Sequence, residues 1–174
     1  MQAQTASSTD FRKALAQFAT GVTIITTRTG SGAPVGLTAN SFSSVSLDPP
    51  LVLWSLALSS ATMPVFRTCE RYLVHVLAHH QLDLARRFAA RGAERFDADN
   101  WHFNGSGLPY LPGCVAWFEC SIRSRYEEGD HVILVGRVEA FRYEGGKPLI
   151  FHDGRYVAEL TEAPLPRALR SGLG

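Results

Sequence analysis

Cysteine is scarce in this 174-residue chain: Cys69, Cys114 and Cys120 are all there is. An odd count without CxxC spacing excludes a disulfide framework and reads as buried, reduced thiols of a cytoplasmic protein. Net charge is nearly absent, with 17 Lys and Arg against 16 Asp and Glu. No field exists to gather nucleic acid or an anionic membrane surface. No apolar run reaches the ~18 residues of a membrane span, and the first residues show no basic region leading into an apolar one. A soluble, cytoplasmic protein is the expectation. The usual catalytic signatures are missing as well: there is no GxSxG elbow, no HExxH and no P-loop.

What is present is a core-forming composition, 45% hydrophobic and 19% charged, enough for one globular domain. Residues 1–8 read as a tail. Ser8 or Thr9 caps a helix through Phe18, with Phe11, Leu15 and Phe18 on one inward face. Gly21–Thr27 is a β-branched strand, turned by Thr29–Gly32 into a second strand, Ala33–Leu37. The glycines here are spaced GxGxxxG, enclose Pro34 and precede no amphipathic helix, so they mark a hairpin rather than a dinucleotide fingerprint.

Leu51–Leu58 is an apolar strand, followed by a short helix holding Met63–Phe66. Tyr72–Leu77 is a strand and Gln81–Arg91 an amphipathic helix with Leu82, Leu84, Ala85, Phe88 and Ala89 inward. Residues 92–113, irregular and rich in aromatics (Phe96, Trp101, Phe103, Tyr110), read as a lid or intersubunit arm. Cys114–Tyr126 alternates, with Phe118 and Cys120 on one side and Glu119 and Ser121 on the other. Turns then lead to strands His131–Phe141, Pro148–Phe151 and Arg155–Leu160, before a tail at 161–174. Strands joined by tight turns, with two or three helices, predict an antiparallel barrel with helical additions over residues 9–160.

Two stretches carry candidate chemistry. The first, 36–50, lies between strands and is lined with Thr38, Asn40, Ser41, Ser43 and Ser44. Short hydroxyl and amide arms suit a flat ligand with polar edges; an ordinary Asx- and Ser-rich connection is the competing reading. The second is Ser59, Ser60 and Thr62 at a helix start, either plain caps or a cradle for a phosphate monoester. His75, His79 and His80 straddle a strand-to-helix break and lack a completing carboxylate or thiolate, so no metal is expected. Asp97 and Asp99 read as solvated loop charges. Such a chain suits an enzyme whose cofactor performs the hard step.

Several segments resemble, in order, the short-chain flavin reductase family. They are Phe18–Thr26, Gly36–Phe42, Val45–Leu53, Gly129–His131, Ile133–Val138 and Pro148–Tyr156. The resemblance spans residues 9 to 160. It implies a mainly β, antiparallel FMN-binding split barrel, usually a homodimer, in which NADH or NADPH reduces FMN or FAD for a separate monooxygenase. By position it assigns Thr38, Ala39, Asn40 and Ser41 to the flavin ring edge, largely through backbone groups. Ser55 and Leu56 fall to the flavin tail, and Ser59, Ser60 and Thr62 to its phosphate. Leu77, Ala78 and Phe88 would shape the pocket. His131 would act at the nicotinamide, positioning it, with Tyr156 beside it. His75 stands where an asparagine is common, and His79 and His80 where acidic or amide groups are. Hydride transfer between stacked rings requires no protein nucleophile, which accounts for the missing motifs. A flavin carrier or sensor, and an FMN-dependent oxidase, are the alternatives on the same barrel.

Overall fold

The computed structural model describes residues 7–97 and 100–157. The carboxy-terminal tail, the end of the last strand and Asp99 lie outside the described residues, as does most of the amino-terminal tail.

Helix α1 is Ser8–Ala16, and its cap is Ser7, whose hydroxyl accepts from the Asp10 N–H at 3.2 Å. Strands follow at Thr20–Gly21 (β1), Thr23–Arg28 (β2), Pro34–Ala39 (β3), Ser43–Leu47 (β4) and Pro50–Ala57 (β5). Helix α2 is Met63–Thr68, strand β6 Arg71–Val76 and helix α3 Leu82–Ala89, with a single 3-10 turn at His79–Gln81 leading into α3. A two-strand ribbon, His102–Phe103 (β7) and Pro109–Tyr110 (β8), precedes the long hairpin of β9 (Ala116–Glu128) and β10 (His131–Tyr143). Short strands Ile150–His152 (β11) and Arg155–Val157 (β12) complete the described chain.

Seven strands form one antiparallel sheet in the order β3-β2-β6-β9-β10-β5-β4, and β1, β11 and β12 form a second. The sheet curls so that β3 returns to β5. Ser41, just past β3, accepts from the Ser55 N–H at 2.9 Å and donates to the Ser55 carbonyl at 3.1 Å, closing the split in the barrel. Inside lie Ile25, Trp54, Leu56, Phe66, Tyr72, Val74 and Leu134. Their alternation along half-exposed strands is the period-two pattern of a filled barrel. A second core of Val22, Ile24, Leu77, Phe88, Leu111 and Leu149 sits under α3.

The barrel's tightest point is Gly136. Tyr72 reaches from β6 past β9 so that a Cβ at position 136 would stand 2.0 Å from its phenol oxygen. The ladder between β9 and β10 shifts register beside that glycine. Burial pushes the Tyr72 phenol well above its usual pKa.

Several sequence expectations change. The polar stretch 36–50 holds a strand of its own: β4 pairs with β5 at the sheet edge, and four of its five residues are exposed, so no apolar alternation marks it. Helix α1 ends before Phe18, and Phe11, Leu15 and Phe18 are 57%, 58% and 79% exposed, so the expected inward face has no partner among the described residues. Glu119, placed outward by alternation, is buried; it pairs with the exposed Arg71 and accepts from the Asn104 amide at 3.0 Å. The aromatic stretch 92–113 is partly ordered as the β7–β8 ribbon. Phe88, Phe96, Trp101 and Phe103 pack edge to face in sequence, with ring centres 5.0 to 5.2 Å apart.

Candidate functional site

Strand β3 organises the site, held between β2 and α3. Thr38 donates its hydroxyl to the Ala85 carbonyl of α3 at 2.7 Å. Gly36 lets α3 approach closely: a Cβ there would meet Phe88 at 2.8 Å, and the Ile25 carbonyl and Phe96 at 3.1 Å. Two openings lie along this strand. At its far end a cavity of about 140 Å³ is lined by Val22, Thr38, Asn40, Ala89, Phe151 and Tyr156. At its start a larger one, about 370 Å³, takes in Val35, Gly36, Ala61, Thr62, Arg95 and Phe96. With a strand rise of ~3.3 Å per residue, the two are on the order of 10 Å apart.

The expected ring-edge residues are brought together, but not as hydroxyl arms. The side chains of Thr38 and Ser41 are spent inside the protein, on Ala85 and Ser55. The Ala39 carbonyl accepts from the Thr23 hydroxyl at 2.7 Å. Asn40 is exposed and its side chain takes no part in the hydrogen bonds within the described residues, so its carboxamide is a free polar group at that opening, as is the Tyr156 phenol. Of the tail residues, Ser55 is half-buried, while Leu56 points into the barrel core.

The other opening is lined by Thr62, whose hydroxyl lies 2.9 Å from that of Ser60 and whose N–H donates to Ser60 Oγ at 3.3 Å. Thr62 is buried and makes no side-chain cap to α2. Its hydroxyl is therefore not committed to the helix, whereas Ser60 Oγ accepts a backbone N–H of the turn that leads into it. Ser59 is exposed beside them.

Leu77 and Phe88 are fully buried in the second core, where they can only support the site from beneath. Ala78 lines a separate recess with His79, His80 and Lys147. Sequence pattern does not single out Arg95, whose guanidinium donates to the Gly36 carbonyl at 2.6 Å and to the Ala90 carbonyl at 3.0 Å. Only the fold puts it beside Gly36.

His131 and Tyr156 do not share a cavity. His131 opens β10 directly opposite Ala57, one residue before the loop that carries Ser59. Its Nδ1–H donates to the Asp130 carboxylate at 2.6 Å, since a carboxylate only accepts. That bond holds the Asp130 carboxyl below its usual range. Nε2 makes no hydrogen bond among the described residues. Tyr156 lies across the far opening, its ring edge-on to Phe151 at 5.3 Å.

The remaining candidates have structural places. His75 is wholly buried: its Nδ1–H donates to the Ile24 carbonyl at 3.1 Å, and its Nε2 accepts from the Leu111 N–H at 3.2 Å. Asp97 pairs with Arg87. The thiols of Cys114 and Cys120 are pushed up to about 12 by burial, which keeps them protonated and unreactive. A recess of about 690 Å³ between the β2–β3 turn and α2 contains none of the expected site residues.

Comparison with known proteins gives a consistent answer. The Flavin reductase like domain family matches residues 15–159. The chain is 45% identical over 150 residues to FMN reductase (NADH) SmoA of Agrobacterium fabrum, covering 86% of this chain and 85% of that one. It is 36% identical over 164 residues to the reductase subunit HsaB of a flavin-dependent monooxygenase from Rhodococcus jostii, covering 94% and 84%. The NADH:FAD oxidoreductase SgcE6 of Streptomyces globisporus C-1027 superposes with a TM-score of 0.82 at 36% identity, covering 93% of this chain and all of that one. Other relatives are longer: the chain spans about half (47%) of a probable flavin reductase from Rhizobium meliloti.

Proposed function

The chain belongs to the flavin reductase like domain family, and from that premise we propose that it is an NADH:flavin oxidoreductase supplying reduced FMN or FAD to a separate monooxygenase. The observation that carries this reading is the pair of openings along β3, one flanked by aromatic rings and a free carboxamide, the other by the Thr62 hydroxyl and a guanidinium. A flavin has the same polarity, a ring system at one end and a phosphate at the other.

On this reading the 38–41 segment lines the ring edge through Asn40 and backbone groups. Ser55 and the Leu56 backbone run along the tail, and Ser59, Ser60 and Thr62 meet the phosphate. Leu77 and Phe88 hold the wall behind. Tyr156 borders the nicotinamide at the ring-sized opening, and His131, which shares no cavity with it in one copy of the chain, is assigned to the nicotinamide by the family resemblance alone. Bound flavin supplies the hydride acceptor and the reduced nicotinamide the donor. The protein's own work is to align the rings and keep donors fixed at the ring edge.

A cavity of about 140 Å³ falls short of the ~300–1,000 Å³ of ordinary ligand clefts. A second copy of the chain would complete it, and the exposed Phe11, Leu15, Phe18 and Leu47 favour such a homodimer. No helix among the described residues is long and apolar enough to cross a membrane. Free thiols and the use of NADH favour the cytoplasm.

Purified protein is expected to oxidise NADH only when FMN or FAD is added, and to bleach either flavin anaerobically with release of the reduced form. Failure of both NADH and NADPH to bleach the flavin would overturn the proposal.

His131→Ala is expected to leave flavin affinity within about twofold while raising the apparent NADH constant and slowing flavin bleaching by about tenfold, as lost orientation does. The shape of the pH profile between about pH 5 and 8 stays the same if the imidazole positions and does not transfer a proton. Stopped-flow bleaching across that range checks both, and wild-type behaviour in the variant removes His131 from the site.

A further inference from the structure

Helix α1 buries no residue, and every hydrogen bond that joins residues 7–18 to the rest of the described chain ends on Asp153. The Asp153 N–H donates to the Ala16 carbonyl at 2.8 Å, taking one of the unpaired carbonyls of the helix end. Its carboxylate accepts from the amide of Gln17, the helix C-cap, at 3.1 Å. Asp153 also opens the turn between β11 and β12, where it and Gly154 have φ of 47° and 73°. Two positive φ values in succession suit a two-residue hairpin turn, because their twist matches that of the strands. Asp153 is the one residue other than glycine with positive φ among the described residues. Glycine adopts that backbone freely, so the turn itself has no need of a carboxylate.

What the turn carries is Tyr156. It stands in β12 directly opposite Phe151 of β11, and both residues line the ring-sized opening. Among the described residues β12 is the edge of its sheet, and its ladder to β11 is three residues long. So short a ladder holds an edge strand weakly, which leaves the turn as the next constraint on where the ring stands. Resting on the reading that a nicotinamide meets Tyr156 at this opening, we propose that Gln17 and Asp153 are positioning residues: through the turn they set the Tyr156 ring over the opening and so orient the nicotinamide. No side chain of α1 lines the opening, so the helix acts through the turn alone.

A plain fastener for the end of α1 would use the same two bonds, and variants distinguish it from a positioning role. Asp153→Gly removes the carboxylate without straining the backbone; Gln17→Ala removes the other end of the same bond; Asp153→Asn keeps an acceptor. Two readouts are taken on the full chain. One is the fluorine NMR resonance of fluorotyrosine at position 156, identified by its absence in Tyr156→Phe. The other is stopped-flow bleaching of flavin by NADH. Asp153→Gly and Gln17→Ala are each expected to shift or broaden that resonance and to lower bleaching efficiency with NADH by about three- to tenfold, the range of one hydrogen bond. Flavin affinity stays within about twofold, since the ring-edge groups are untouched. The double variant is no worse than either single one, and in a Tyr156→Ala background neither change lowers bleaching further. Asp153→Asn behaves as wild type. An unmoved resonance overturns the proposal. Losses that add in the double variant, or that persist without Tyr156, make the pair a fastener and overturn it too. So does a moved resonance with wild-type bleaching, or an Asp153→Asn variant as impaired as Asp153→Gly. If the resonance moves but no nicotinamide bleaches flavin in the wild type, the oxidoreductase reading fails while the placement of Tyr156 by α1 stands.

Discussion

Replacing Ser59, Ser60 and Thr62 together with alanine is expected to weaken FMN binding by about a hundredfold or more and riboflavin binding by no more than about threefold. A hydrogen bond to a charged group contributes roughly 1.5–3 kcal/mol. Two such bonds at the low end amount to about 3 kcal/mol, which is about two orders of magnitude in Kd. The hydroxyls of Ser60 and Thr62 stand 2.9 Å apart, so one phosphate can meet both. Riboflavin lacks the dianion and loses little. Thr62 is buried, so a thermal melt of the triple variant must accompany the titration. Fluorescence titration with both ligands decides the matter, and equal weakening would mean that the cradle lies elsewhere.

Lowering the pH from 7 to 4 is expected to cost about 3 kcal/mol of stability through His75 alone. Its two ring nitrogens have opposite duties, donor to Ile24 and acceptor from Leu111, which only the neutral imidazole can perform. Burial without a counter-charge lowers its pKa from 6.5 to about 4. The folded pKa lies below the unfolded one, so the unfolded chain takes the proton first. The contribution is complete above about pH 6.5, falls as pH drops through the window, and levels off below about pH 4. Urea unfolding at both pH values measures the total. His75→Asn keeps a donor and an acceptor but cannot titrate. The difference between wild type and variant over that interval isolates His75, and parallel losses would sink the claim.

How far the sequence reached depended on whether a residue's partner was local. The β-branched run of β2 and the apolar run of β5 declare themselves, because strand propensity and burial agree there. Strand β4 does not, since Ser43, Ser44 and Val45 are all exposed and the strand is held by its ladder to β5 alone. The helical spacing of Phe11 and Leu15 is plain, but spacing cannot say what covers that face. Ordered family segments brought Thr38, Asn40 and Tyr156 under notice, and they do line one cavity. That Thr38 and Ser41 turn their hydroxyls inward depends on Ala85 and Ser55, which no local pattern indicates. Arg95 was hidden for the same reason, since its significance comes from Gly36 across the fold.

The Tyr72 phenol occupies the space that a side chain at position 136 would need. Far apart along the chain, the two positions are therefore one locus under mutational drift. A lineage can enlarge residue 136 only after residue 72 has become smaller, and a phenol can return only where the glycine has been kept. The order of substitution is thus constrained as well as the end state. Recombination between diverged relatives with a crossover between β6 and β10 would separate the pair, joining a phenol from one parent to a larger residue from the other.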